Sequence, residues 1–228
     1  MRFDFVSIFP ECFDSYLGVS MMNRARQDGL VSFRFADPRK YATDKHHTVD
    51  DSPYGGGAGM VMKPEPLFAC VEDLLSEGEA SRDRTRIILF SAKGRPFVQD
   101  DARRLVGSYD RLILIAGRYE GVDERVHEHL VDEELSIGEY VLTGGELPAM
   151  VVADAVTRLI PGVLGNAESA ETESHSEEGV LEHPQYTKPE EFRGWRVPDV
   201  LLSGHHEEIR KWRERMSSRR AGTDIETV

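Results

Sequence analysis

Residues 3–9 set aromatic and β-branched positions in a strand-like alternation, and Pro10 opens a stretch with helical spacing. Residues 31–35 repeat the strand pattern. From 36 to 62 the chain is polar and glycine-rich without a period, and loops of that length in a compact domain are usually functional or mobile. Helical spacing returns over 64–75 through Leu67, Cys70, Val71, Leu74 and Leu75, and 77–85 reads as a charged linker. Residues 86–91 and 111–116 are short, nearly continuous apolar runs on either side of a helical stretch at 99–105. Such runs suit central strands covered on both faces. Their alternation with helices predicts an α/β domain with a mainly parallel sheet.

Residues 137–142 form a further strand candidate that ends in Thr143-Gly144-Gly145. A helix over 146–160 follows, with Pro148 tolerated in its first turn. Apolar residues nearly encircle it and leave Asp154, Thr157 and Arg158 as a single polar stripe, which a buried helix keeps only if it points at something; an ion pair between Asp154 and Arg158 is the simpler reading. After Pro161 the composition turns to Glu, Ser, Gly and Pro. A last helix over 205–218 has Ile209, Trp212 and Met216 on its apolar face, and Arg210, Lys211, Arg213 and Arg215 crowd the remainder. The division expected is a domain over 1–160, a flexible linker over 161–178 and a small helical domain over 179–228.

At 228 residues the chain holds one large domain with room for an appendage, and it can bury a core without metal or disulfide staples. Two cysteines, Cys12 and Cys70, make neither a disulfide scaffold nor a zinc ribbon, so a reducing cytoplasmic setting is expected. No apolar run approaches the roughly 18 residues of a membrane span, and Asp4 interrupts the start where a secretory signal needs apolar residues. A net charge of −13 argues at first against a nucleic-acid partner. Its distribution weakens that argument: residues 118–139 carry −6, residues 165–191 carry −7, and everything else balances. Within the balanced remainder, 210–220 holds six bases against one acid.

Three glycine clusters stand out: Tyr54-Gly-Gly-Gly-Ala-Gly-Met60, Gly117-Arg-Tyr-Glu-Gly121 and Ile137-Gly-Glu-Tyr-Val-Leu-Thr-Gly-Gly145. None has the Lys-Ser/Thr ending of a phosphate loop, and no GxGxxG joins the first strand to its helix. The last two follow strand candidates, as does Gly94 in Phe90-Ser-Ala-Lys-Gly-Arg95, and open α/β sheets bind ligands at strand ends. Three such loops can close backbone amides and carbonyls around a flat ligand such as adenine, although ordinary turn chemistry also accounts for glycines. His46, His47, Asp50 and Asp51 lack a second cluster at ligand spacing and read as solvated loop residues, so no metal site is expected. Asp132, Glu133 and Glu134 read as a solvated edge, and Trp212 as core.

Six words of this sequence, in order, resemble the bacterial tRNA (guanine-N1)-methyltransferase family: Ile8-Phe-Pro10, His47-Thr-Val-Asp-Asp-Ser-Pro-Tyr-Gly-Gly-Gly57, Ala116-Gly-Arg-Tyr-Glu-Gly-Val-Asp-Glu-Arg125, the stretch 136–150, Ile160-Pro-Gly-Val-Leu-Gly-Asn166 and Val200-Leu-Leu-Ser-Gly204. The resemblance implies a trefoil-knotted (SPOUT-type) α/β domain, a small helical C-terminal domain that binds tRNA, and a homodimer whose sites draw on both chains. It implies transfer of a methyl group from S-adenosylmethionine to N1 of guanosine 37 of tRNA, 3′ of the anticodon. The cofactor-binding positions carried over are Leu89, Phe90, Ser91 and Gly94; Gly117, Arg118, Tyr119 and Glu120; and Ile137, Gly138, Tyr140, Leu142, Gly144, Gly145 and Pro148.

N1 of guanine carries a proton, so methylation calls for a base and for a cation near O6. By resemblance the base is Glu173 and the cation Arg158, while Glu120, Asp50, Tyr54, Arg210 and Arg213 meet the RNA, whose guanine must leave its stack. The family also implies a rate that depends on Mg²⁺, for which the sequence offers no dedicated cage. Three departures stand out. The usual base is Asp where this chain has Glu173, Pro is common where Ala92 stands, and the basic Arg-Arg-Pro segment with its trailing helix is missing after Arg220. A knotted methyltransferase for another RNA position, and an inactive RNA-binding relative, are the alternatives.

Overall fold

The computed structural model describes residues 1–78, 80–165, 174 and 181–220, with side chains described through residue 217. They fall in two compact units, Met1–Gly165 and Asn166–Val228.

The first unit is built on strands β1 (Arg2–Val6), β2 (Ser32–Ala36), β5 (Thr85–Pro96), β6 (Arg111–Ala116) and β7 (Glu133–Ser136). They form one sheet in the order β2-β1-β6-β5-β7, and every pairing is parallel. Alternation along the central strands sorts their side chains onto two cores. Phe3, Phe5, Ile88, Phe90, Leu112 and Leu114 pack on one face against α1 (Asp14–Leu17), α2 (Ser20–Gln27), α4 (Gln99–Ser108) and α6 (Glu146–Thr157). Val6, Ile87, Leu89, Ile113 and Ile115 pack on the other against α3 (Pro64–Ser76) and α5 (Glu124–His129). Burial on both faces is why 86–91 and 111–116 read as continuous apolar runs.

Where the sequence pattern showed no period, a 3₁₀ turn at Pro38–Tyr41 and a two-stranded ribbon appear, β3 (Asp50–Asp51) antiparallel to β4 (Val61–Met62). Gly55, Gly56, Gly57 and Gly59 have positive φ in the loop between them, a conformation that side chains oppose.

The strand expected over 137–142 is not there. The strand is β7, which ends at Ser136, and the alternation beyond it belongs to a loop that leaves Tyr140 54%, Val141 86% and Leu142 38% exposed. Nor are Asp132, Glu133 and Glu134 a solvated edge. Asp132 accepts from Arg82 and from the Ile87 amide, and Glu133 from Arg86 and Arg104, each at 2.6–2.9 Å. Partners 29–50 residues away in sequence, invisible to a local pattern, allow carboxylates to start this edge strand of the sheet.

The second unit contains the ribbon β8 (Glu191–Phe192) and β9 (Trp195–Arg196), helix α7 (Asp199–Leu202) and helix α8 (His206–Arg220). Trp212 is 8% exposed and packs its ring against His183 and Tyr186, as a core residue. The expected linker over 161–178 lies largely outside the described residues.

Candidate active site

Strands β5, β6 and β7 deliver three loops to the same edge of the sheet, and together they enclose a cavity of about 470 Å³, within the range of small-molecule sites. Residues 91–94 bulge out of β5, because both Phe90 and Arg95 stand opposite Leu135 of β7. Gly94 closes that bulge by lying against the Leu135 backbone, where a Cβ would come within 2.6 Å. It does not line the cavity, but Leu89, Phe90 and Ser91 do.

From β6 come Gly117, Arg118, Tyr119 and Glu120. This loop is stitched to the β3–β4 ribbon by bonds from the Glu120, Met62 and Asp123 amides to Met60, Gly121 and Met62 carbonyls at 2.9–3.0 Å. Tyr119 holds a left-handed φ of 60°, and burial together with Asp50 pushes its phenol up from the usual range, keeping it a proton donor. Asp50 thereby stands beside a lining residue without lining the cavity itself. Glu120 lies beneath the glycine loop, where a Cβ on Gly59 would overlap its side chain. Tyr54, in the same loop, is fully exposed.

From β7 come Ile137, Gly138, Tyr140, Leu142, Gly144, Gly145 and Pro148. Their loop crosses the β6 loop at backbone contact. The Gly145 amide donates to the Gly117 carbonyl at 2.9 Å, and a Cβ on Gly145 would fall 2.7 Å from Ala116 Cα. Beside the crossing, buried Glu146 accepts from Ser7 Oγ at 2.6 Å and pairs with Arg118 Nε at 2.9 Å. The Arg118 guanidinium lies over the Phe9 ring at 4.7 Å and donates to Thr143 O at 3.2 Å. Replacing Gly145 by valine forces backbone apart at this crossing. We expect cofactor affinity to fall at least about tenfold and stability by about 1–3 kcal/mol, as for other overpacked sites; wild-type values in calorimetric titration and thermal melting would refute the tight crossing.

Four charged or titratable lining residues escaped the sequence reading: Lys93, Glu124, His127 and Glu134. Lys93 pairs with Glu124 at 2.9 Å, and the pairing raises its ammonium. Glu134 is 10% exposed, and its Oε1 has no donor among the described residues, a deficit that costs about 1–3 kcal/mol. The signal was the period of a strand, which sends adjacent Glu133 and Glu134 to opposite faces.

The other sequence candidates lie elsewhere. Arg158 caps the C-terminus of α6 and is half-buried, outside the cavity lining. Four residues back, Asp154 accepts from Tyr16, whose phenol is raised by burial and by that bond. Glu173 lies outside the described residues. Arg210 and Arg213 sit on α8 of the second unit, Arg210 paired with Glu207 at 2.7 Å and with Glu214. His47 Nδ1 lies 3.1 Å from the Arg39 carbonyl, and among the described residues no three His, Cys, Asp or Glu side chains gather as a metal cage.

The cavity suits an adenosyl cation. Glycines at 138, 144 and 145 let the lining segments pack at distances that a Cβ would forbid, and Glu120, Glu124 and Glu134 outnumber Lys93 and Arg118, both already paired with carboxylates. Comparison with known proteins points the same way. A sequence model of the family described as tRNA (Guanine-1)-methyltransferase TrmD matches residues 1–225. The chain is 56% identical over 220 residues to the tRNA (guanine-N(1)-)-methyltransferase of Dehalococcoides mccartyi strain CBDB1, covering 96% of this chain and 87% of that one. Identity is 54% to the protein of the same name from Halalkalibacterium halodurans, with the same coverage, and 53% to that from Geobacter sulfurreducens, covering 99% and 91%. Identity at this level along almost the entire chain leaves one conclusion: the chain belongs to the tRNA (guanine-N1)-methyltransferase family.

Proposed function

We infer that this chain methylates N1 of guanosine 37 of tRNA, 3′ of the anticodon, using S-adenosylmethionine. The observation that carries the inference is full-length family membership joined to a cavity built from the three family-like loops. The cofactor supplies an electrophilic methyl group on a sulfonium. Backbone groups of the three loops hold its flat adenine, and the acidic lining offsets its positive charge.

The remaining roles are our proposal. Glu120 grips the flipped guanine beside the glycine loop. The Glu173 carboxylate takes the N1 proton as the N1–carbon bond forms, and the Arg158 guanidinium stabilises the charge that gathers on O6. Arg158 lies outside the lining of its own cavity, as expected if it serves the site of a second copy. A homodimer is supported by Leu147 and Val151 on α6, which are 57% and 46% exposed. A trefoil knot is supported by the tight passage of 144–146 across 116–118. The basic side of α8 would meet the RNA backbone through Arg210 and Arg213, a contact that weakens with salt. Mg²⁺ belongs to the proposal as a family expectation, for which the described residues gather no cage. A cytoplasmic setting agrees with the free thiols of Cys12 and Cys70, and no helix among the described residues is long and apolar enough to cross a membrane.

The test is methylation of an unmodified tRNA transcript with methyl-labelled cofactor, followed by nucleoside analysis. Label is expected in 1-methylguanosine, and it should vanish when adenosine replaces guanosine 37. Label that survives the replacement would favour another RNA position, and no label with any transcript would favour an inactive RNA-binding protein.

A further inference from the structure

Glu134 is the one carboxylate in the cavity wall whose buried oxygen lacks a donor among the described residues. It stands on β7 opposite Leu89, itself a lining residue, so the strand pairing aims it at the pocket. Its Oε2 faces His127 Nε2 at 3.7 Å, beyond hydrogen-bond reach. Lys93 is near enough to feel its charge but gives its ammonium to Glu124. Glu133, one residue away, has three arginines in reach. Stability alone would have been served by a similar arrangement at Glu134, or by an apolar residue. A mostly buried carboxylate that lines a cavity and lacks a donor is explained by a donor that the cavity's occupant brings.

We propose that Glu134 is a ligand of the cofactor: its carboxylate accepts a hydrogen bond from an N–H or O–H group of S-adenosylmethionine. The assignment rests on the methyltransferase reading above. Two parts of the cofactor carry suitable donors, the α-ammonium of the amino-acid tail and the nucleoside with its ribose hydroxyls and adenine amine. The shared chemistry is a charge-assisted bond to a carboxylate, stronger than a neutral one.

The experiment uses the full chain without RNA. Calorimetry measures binding of S-adenosylhomocysteine and of methylthioadenosine, which lacks the amino-acid tail, to wild type, Glu134→Gln and Glu134→Met. Melting of the ligand-free proteins is followed in parallel. Both substitutions should weaken S-adenosylhomocysteine about 10- to 100-fold, the range of a charged hydrogen bond. Ligand-free Glu134→Met should melt at or above the wild-type temperature, because an unsatisfied buried charge has been removed. Equal weakening of methylthioadenosine would locate the donor on the nucleoside, and undiminished methylthioadenosine binding would locate it on the tail. Affinities within twofold of wild type, or a loss of affinity that only accompanies a fall in melting temperature, would overturn the assignment. If wild type itself failed to bind either compound, the methyltransferase reading would fall, and this assignment with it.

Discussion

Glu173→Gln is expected to lower turnover about 10²- to 10⁴-fold, the usual contribution of a positioned general base, while S-adenosylhomocysteine binds as tightly as before. Guanine N1 holds its proton in the plane of the ring, so the methyl group cannot arrive until something accepts that proton. An amide of the same size hydrogen-bonds but cannot take it. The binding control matters because the walls described for the cavity come from β5, β6, β7 and the loops after them, from α5 and from the start of α6. Glu173→Asp should keep much of the activity, since it restores the residue usual in the family one methylene shorter. Glu171→Gln and Glu177→Gln should be close to normal. Single-turnover kinetics on a tRNA transcript distinguishes these outcomes. Near-normal rates for Glu173→Gln with a collapse for one of its neighbours would move the base along the chain.

Most of the sheet was legible because its strands are buried on both faces. Ile87 to Phe90 and Leu112 to Ile115 are apolar at every position, since odd and even residues feed different cores. The helices over 64–75 and 205–218 were legible for the complementary reason, an apolar stripe at helical spacing, and that over 146–160 by apolar residues nearly all round, whereas the short α5 (Glu124–His129) was not read. β7 was not legible, because three carboxylates stand at and just before its start, and the guanidinium partners of Asp132 and Glu133 lie on β5, on α4 and before β5. The apolar residues just after it imitate a strand, yet they edge a cavity and an exposed surface. β3 and β4 are two residues each, too short for any period, and hold through bonds to the β6 loop.

At the cavity the glycines could be read as strand-end turns, whereas their steric necessity could not. That Gly145 must pass Ala116 without a Cβ follows only from the crossing of segments 29 residues apart in sequence. The acidic 118–139 segment sharpens the charge argument. Part of its −6 is spent on structural pairs at Asp123, Asp132 and Glu133, while Glu120, Glu124 and Glu134 face the cavity. The −6 of this segment therefore bears on the cavity more than on an RNA partner.

At the opposite end of the sheet from the cavity, Asp4→Ala should destabilise the first unit by about 3–5 kcal/mol, the range for removing one partner of a buried ion pair. Asp4 on β1 and Arg111 on β6 are both fully buried, with Arg111 Nε 2.6 Å from Asp4 Oδ2. Arg111 also donates to Leu74 O at 2.7 Å, tying the sheet to the end of α3, and its Nη1 has no partner among the described residues. Asp4 is therefore the carboxylate that makes a buried guanidinium tolerable, with a second contact from Arg2 Nε at 2.8 Å. Alanine leaves that cation without its counter-charge beneath an apolar core. For a unit of this size the loss corresponds to roughly 6–20 °C in melting temperature. The partner substitution supplies the control: Asp4→Leu combined with Arg111→Met replaces the pair by apolar groups and should recover most of the stability, because the desolvation of both charges disappears along with their attraction. Arg2 keeps its pairing with Glu77 in the double variant. Urea unfolding followed by circular dichroism measures all three proteins. A loss below about 1 kcal/mol for Asp4→Ala would mean that water reaches Arg111, and the pair would then rank with surface ion pairs. Cofactor affinity of the folded protein should stay unchanged throughout, since Asp4 and Arg111 lie toward the starts of strands whose far ends carry Ser7 and Gly117.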